Sequence, residues 1–156
     1  MRVVISQSML FPWVGMLEQV RLADVFVHYD DVQFSKGSFV NRVQVKTPDG
    51  FKWMTIPLHE LRLGQRINEV QPLPIERWRD THLRLLERSF KDAPHVRDAM
   101  ELAEAVYGPP PETLASLTRA SIVSLCTYFG LLERMRLVGI STLDAPGRRS
   151  HQVVSA

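Results

Sequence analysis

A single cysteine, Cys126, stands among 156 residues. No disulfide can form within the chain, which fits a reducing compartment. Charge of one sign is scarce too: 19 Lys and Arg against 17 Asp and Glu leave a formal net charge of +2. So small an excess implies no nucleic-acid partner, because phosphate binding draws on a concentrated basic surface. No apolar run approaches the ~18 residues of a membrane span. The start, "MRVVISQSMLF", has neither a long apolar core nor a small-residue cleavage site, so it does not read as a signal peptide. These absences together describe a cytoplasmic protein with no membrane partner. The five histidines (His28, His59, His82, His95, His151) lack metal-ligand spacing, and the G-x-x-x-x-G-K-[ST] phosphate loop is absent. No metal or cofactor is expected.

What is present suits one domain with a sizeable core. The hydrophobic fraction is 45% and the charged fraction 23%, both ordinary for a globular chain. Arg2–Ile5 is a short β-branched run and Val25–Tyr29 a second. Between them Pro12 is placed to open a helix at its first position, with Trp13, Leu17 and Val20 as its apolar stripe. Strand, helix and strand in so short a span predict a βαβ unit with a parallel pair. Phe39–Lys46 then alternates, "TPDG" at 47–50 is a turn, and Phe51–Leu58 returns, which predicts an antiparallel β-hairpin.

Beyond Pro74 the apolar period changes from 2 to 3.6. Helices are predicted over Ile75–Lys91, His95–Tyr107 and Thr113–Phe129, the last stopped by Gly130. Arg134–Ile140 reads as a closing strand, and from Ser141 the chain is polar and expected to fray. The predicted fold is therefore mixed α/β: an N-terminal βαβ unit, an antiparallel β-hairpin, and a three-helix C-terminal half. Trp13, Trp53 and Trp78 are expected in the core. Cys126, between apolar helical neighbours and with no nearby histidine, is expected to be a buried structural thiol.

The stretch from the second strand to the hairpin, "HYDDVQFSKGSFVNR", carries most of the candidate chemistry. It lies past the carboxyl end of a strand, where open α/β sheets place ligands. Asp30 and Asp31 are candidate general bases or anchors, of which an extended backbone turns only one inward. Lys36 beside Gly37, and Arg42 with its forked guanidinium, suit a phosphate or carboxylate. Asn41 shares the apolar face of Phe39, Val43 and Val45. It must therefore be hydrogen-bonded, either to backbone or to a ligand. Arg42 falls on the opposite face, so a bulge is needed if both serve one site. Gln7, His28 and Gln33 complete the set. The plain alternative is that these groups cap turns and pair among themselves.

Three stretches, "ISQSMLFPWVG" at 5–15, "ADVFVHYDDVQFSKGSFVNRVQVKTPDG" at 23–50 and "WMTIPL" at 53–58, resemble the WbqC-like protein family. The family's pattern carries Pro after the glutamine, where this chain has Ser8. Family members also continue past Ala156, so a short form of one such domain is expected, lacking the family's C-terminal segment, with apolar surface left uncovered.

The resemblance implies a bacterial protein of polysaccharide, O-antigen or secondary-metabolite biosynthesis. It also implies a transferase of acyl, aminoacyl or sugar groups. On that reading Asp30 or Asp31 is the catalytic base. Gln7, His28, Gln33, Lys36, Asn41 and Arg42 bind a small anionic substrate, and a carrier protein is a further partner. The competing readings are a noncatalytic binding or partner module and, last, a nucleic-acid binder.

Overall fold

The computed structural model describes residues 1–143; the tail expected to fray lies, from residue 144 on, outside the described residues. The fold is mixed α/β. Strand β1 (Val3–Ser6), helix α1 (Val14–Leu22) and strand β2 (Val25–His28) form the predicted βαβ unit. β1 and β2 are parallel, with Val3 opposite Val25 and Ser6 opposite His28. The closing strand β3 (Arg136–Gly139) pairs in parallel on the other side of β2, so the order is β1-β2-β3. Chain from the C-terminal half thus completes the N-terminal sheet.

The hairpin is a separate two-stranded ribbon, β4 (Arg42–Thr47) and β5 (Gly50–Thr55). Gly50 takes φ +108°, which side-chain-bearing residues rarely adopt, and the Thr47 hydroxyl donates to the Gly50 carbonyl at 2.7 Å. Alternation sorts the faces of the ribbon itself, but Phe39, expected on the face of Asn41, Val43 and Val45, lies before β4 in a turn and is exposed. Asn41, Val45 and Met54 are buried, whereas Gln44, Lys46, Phe51 and Trp53 are exposed.

Three helices follow: α2 (Arg79–Phe90), α3 (Val96–Val106) and α4 (Leu114–Tyr128). Thr113 caps α4 through a reciprocal pair with Ser116, and Gly130 at φ +65° ends it. α4 belongs to both apolar clusters. Its first half, with Leu114 and Leu117, packs under the hairpin and the long loop. Its second half, with Ile122 and Cys126, packs on Met16, Val20 and Phe26 under the sheet.

Several side-chain placements differ from expectation. Pro12 does not begin α1; Trp13, extended at φ −68° and ψ 160°, is the cap and Val14 the first helical residue. Of the expected stripe, Val20 is buried and Leu17 packs against the same cluster, but Met16 takes the place of Trp13. Trp78 is core, but Trp13 and Trp53 are exposed, as is Phe129 at the end of α4. Apolar type sets only a preference for burial; the cap turns Trp13 out of the helix stripe and alternation puts Trp53 on the open face of the ribbon.

Cys126 is fully buried, and burial pushes its thiol up to about 11. Thiolate reagents should therefore leave the native protein unlabelled and react at one site after denaturation. Fast labelling of the native chain by a maleimide would contradict this placement.

Candidate functional site

The parallel sheet brings the carboxyl ends of three strands to one edge, and polar groups collect there. His28 ends β2, and its Nδ1 shares a 2.7 Å hydrogen bond with the Ser8 hydroxyl, two residues past β1. Asp30, two residues past β2, is wholly buried; its Oδ2 accepts from Arg119 Nε at 2.5 Å. Arg119 lies on α4 and is one-third exposed. Its guanidinium runs across the end of β3: a Cβ built on Gly139 would stand 3.1 Å from it. A buried ion pair is weak support for stability, because desolvating both charges offsets most of their attraction. Its place at the carboxyl ends of parallel strands is where open α/β folds hold ligands. Arg119 spends one donor on Asp30 and has others with which to meet an anion.

Electrostatics at this edge keep His28 neutral. Burial and then the neighbouring Arg119 push its pKa down to about 4, against a smaller opposing pull from Asp30. His82 is also held low by burial. The unfolded chain binds protons at both imidazoles near pH 6.5, so the protonated form favours unfolding. Stability is complete above that pH and falls as the pH drops from about 6.5 towards 4, at no more than about 1.4 kcal/mol per pH unit for each proton. Urea unfolding across this range should show a shallower pH slope in His28→Gln than in the native chain. Equal slopes would mean that His28 titrates normally in the fold.

The structure separates the remaining candidates. Asp31 and Gln7 are half-buried near the same edge of the chain, and Gln33 is exposed, its backbone bridged to Arg66. Lys36 is exposed on the loop that leads to the hairpin. Asn41 turns inward and donates to the Ile56 carbonyl at 3.2 Å, while the Ile56 N–H returns a 2.8 Å bond to the Asn41 carbonyl. Its amide nitrogen therefore serves the backbone, while its buried Oδ1 has no hydrogen-bond partner. Arg42 turns outward and lies over the Trp53 ring, 4.1 Å from its centroid. The ladder runs from Arg42 opposite Thr55 to Thr47 opposite Gly50 without a bulge, so nothing re-aims Arg42 to the side of Asn41.

Sequence reasoning missed Ser8 and Arg119. Ser8 carried a signal, since it stands where the resemblance leads one to expect a proline, which has no hydroxyl to offer His28. Arg119 carried none: it lies 89 residues from Asp30 on a helix read only for its apolar stripe. No group of three or more His, Cys, Asp or Glu side chains suited to a metal occurs among the described residues. No helix among them is long and apolar enough to cross a membrane.

Comparison with known proteins adds a family and one relative. The family described as WbqC-like protein family matches residues 7–156. An uncharacterised protein of Mycobacterium tuberculosis, Rv1507c, is 31% identical over 136 residues, covering 86% of this chain and 58% of the relative. The chain thus spans little more than half the length of that relative. No solved structure matches it.

Proposed function

This chain belongs to the WbqC-like protein family, and on that premise we propose that it is a cytoplasmic group transferase. It moves an acyl, aminoacyl or sugar group from an anionic donor to an amine or hydroxyl acceptor, in bacterial polysaccharide or secondary-metabolite biosynthesis. The observation that carries the reading is the Asp30–Arg119 pair at the carboxyl edge of the parallel sheet. A charge pair buried at a ligand edge, beside a depressed histidine, is characteristic of functional sites.

The roles follow from burial and charge. Asp30 is the positioning residue that holds Arg119. The free guanidinium donors of Arg119 bind the anionic part of the donor. Asp31, the second carboxylate of the pair in sequence, takes the proton from the acceptor nitrogen or oxygen as that atom bonds the transferred group. The donor's bond to its leaving group breaks in the same exchange, and the leaving group departs as an anion. When the donor is a thioester, a carrier protein is the natural source.

Assays with nucleotide sugars and with acyl thioesters, each offered amine and hydroxyl acceptors, test the proposal. Release of nucleotide or free thiol is expected with one class, and Arg119→Gln should slow it by tenfold or more. Failure to turn over either class overturns the transferase reading. The burial of Ser8, His28 and Asp30 favours the second reading, a noncatalytic binding or partner module. Binding without turnover would select it.

A further inference from the structure

A second cluster, on the ribbon and the loop before α1, is not absorbed by the sheet-edge site. Three large aromatic side chains are in the open: Trp13 is 64% exposed, Phe39 55% and Trp53 43%. Phe39 and Trp53 are in ring contact, their centroids 5.8 Å apart. The indole of Trp13 is laid over Gly15, since a Cβ there would come within 2.0 Å of the ring. Trp13 and Phe39 both line a cavity of about 380 Å³, together with Leu10, Phe11, Val43 and Gln44. That volume is in the range of small-molecule sites, roughly 300–1,000 Å³.

No charged side chain lines the cavity, and Arg42 joins the aromatic cluster through the Trp53 ring. Arg42 is fixed by the Trp53 ring on one side and by Gly37 on another, where φ is +82° and a Cβ would stand 3.3 Å from the guanidinium. No carboxylate among the described residues pairs with Arg42 or with Lys36. The Arg42 Nε is buried and has no hydrogen-bond partner. A cation oriented this firmly and left without a counter-ion is prepared for an anionic ligand.

We propose that this cluster binds a nucleoside diphosphate group. The base stacks on Trp13 and Phe39 over the cavity, Gln44 hydrogen-bonds its edge, and Arg42 and Lys36 meet the two phosphates. Flat aromatic faces suit a flat ring of any base, and the amide can both donate and accept. Two unpaired cations complement a doubly charged group. The inference rests on the transferase reading and deepens it by naming the donor's handle, the nucleoside diphosphate that nucleotide sugars and coenzyme A thioesters share, which leaves Arg119 for the charge carried nearer the transferred group.

Binding is measured on the full chain by titration calorimetry and by tryptophan fluorescence, with no acceptor present. The probes are uridine diphosphate, guanosine diphosphate, coenzyme A, inorganic pyrophosphate and a single-stranded oligonucleotide. A nucleotide should bind with quenching of the exposed tryptophans and at least tenfold tighter than pyrophosphate. Preference for the uridine or guanosine compound indicates a nucleotide-sugar donor; preference for coenzyme A indicates a thioester donor. Arg42→Ala and Phe39→Ala should each weaken binding by tenfold or more. Lys36→Ala and Gly15→Ala, the latter displacing Trp13, should weaken it several-fold. Because Phe39 and Lys36 are exposed, their variants should melt with the native chain. No nucleotide bound at millimolar concentration, pyrophosphate bound equally well, or the oligonucleotide bound more tightly with steep salt dependence would each overturn the inference. Group transfer observed without nucleotide binding would sink it while leaving the transferase reading intact.

Discussion

Arg119→Ala is expected to destabilise the protein by about 3 kcal/mol, because it strands a wholly buried carboxylate without its partner. The figure sits at the low end for broken buried pairs, since Arg119 is itself one-third exposed and water already solvates part of it. For a chain of this size the midpoint of thermal unfolding should drop by roughly 6–12 °C. The diagnostic comparison is with Asp30→Asn and the double variant. Removing the charge as well as its partner should restore part of the loss, so that the double variant is more stable than the sum of the singles implies. Strict additivity would mean that Asp30 and Arg119 do not interact in solution. Turnover separates structure from function: Asp30→Asn keeps Arg119 but loosens it, and should raise KM for the anionic donor more than it lowers kcat.

Tyr107→Ala should cost about 3–5 kcal/mol, the range for emptying a large aromatic site in a core. Tyr107 is fully buried and touches Phe11, Trp78 and His82 through ring contacts of 5.3–5.7 Å. Its hydroxyl is 3.0 Å from His82 Nδ1, while His82 Nε2 lies 3.0 Å from the Thr55 carbonyl. A carbonyl only accepts, so Nε2 carries the proton and Nδ1 accepts from the tyrosine. This chain of bonds joins α2 and the end of α3 to the ribbon. Tyr107→Phe keeps the ring and removes the hydroxyl, leaving Nδ1 without its donor, and should cost about 1–3 kcal/mol. Urea denaturation of both variants measures the split between packing and hydrogen bonding. A phenylalanine variant as damaged as the alanine variant would show that the hydrogen bond, not the ring, holds this corner. Tyr107 also backs Phe11, a non-glycine residue at φ +42° whose N–H donates to the buried Ser121 hydroxyl at 2.8 Å. Strain of this kind persists only where surroundings enforce it. Loss of Tyr107 should therefore also relax the Phe11 loop that lines the proposed nucleotide cavity.

The local elements were legible because local physics specifies them. The alternation of Val43, Val45 and Lys46 and the "TPDG" turn define the ribbon. The threonine cap and Gly130 bound α4, and the β-branched runs at Val3 and Val25 give a parallel pair whose short connection leaves little choice of topology. The inward turn of Asn41 was open to two readings by alternation alone. The turn sets Ile56 opposite Asn41, but only the side-chain torsion decided that the amide nitrogen bends back to the Ile56 carbonyl, and alternation says nothing of that torsion. Trp13 and Trp53 are exposed against expectation, since hydrophobic type does not say whether a partner surface exists.

The candidate site divides along the same line. The sequence by itself determined that acidic, basic and amide groups crowd the segment after β2, and that Arg42 and Asn41 leave the backbone on opposite sides. It also determined which stretches become strands and helices, through periods of 2 and 3.6 and through caps acting over a few residues. Only the tertiary structure decided which carboxylate turned inward and what it met. Asp30 finds Arg119 across 89 residues, and Ser8 finds His28 across 20. The sheet order β1-β2-β3 draws a strand from beyond α4 to the edge of β2 and carries Gly139 under the Arg119 guanidinium. Such contacts depend on how elements stack, and stacking is settled by the burial of whole faces rather than by the preference of any one residue.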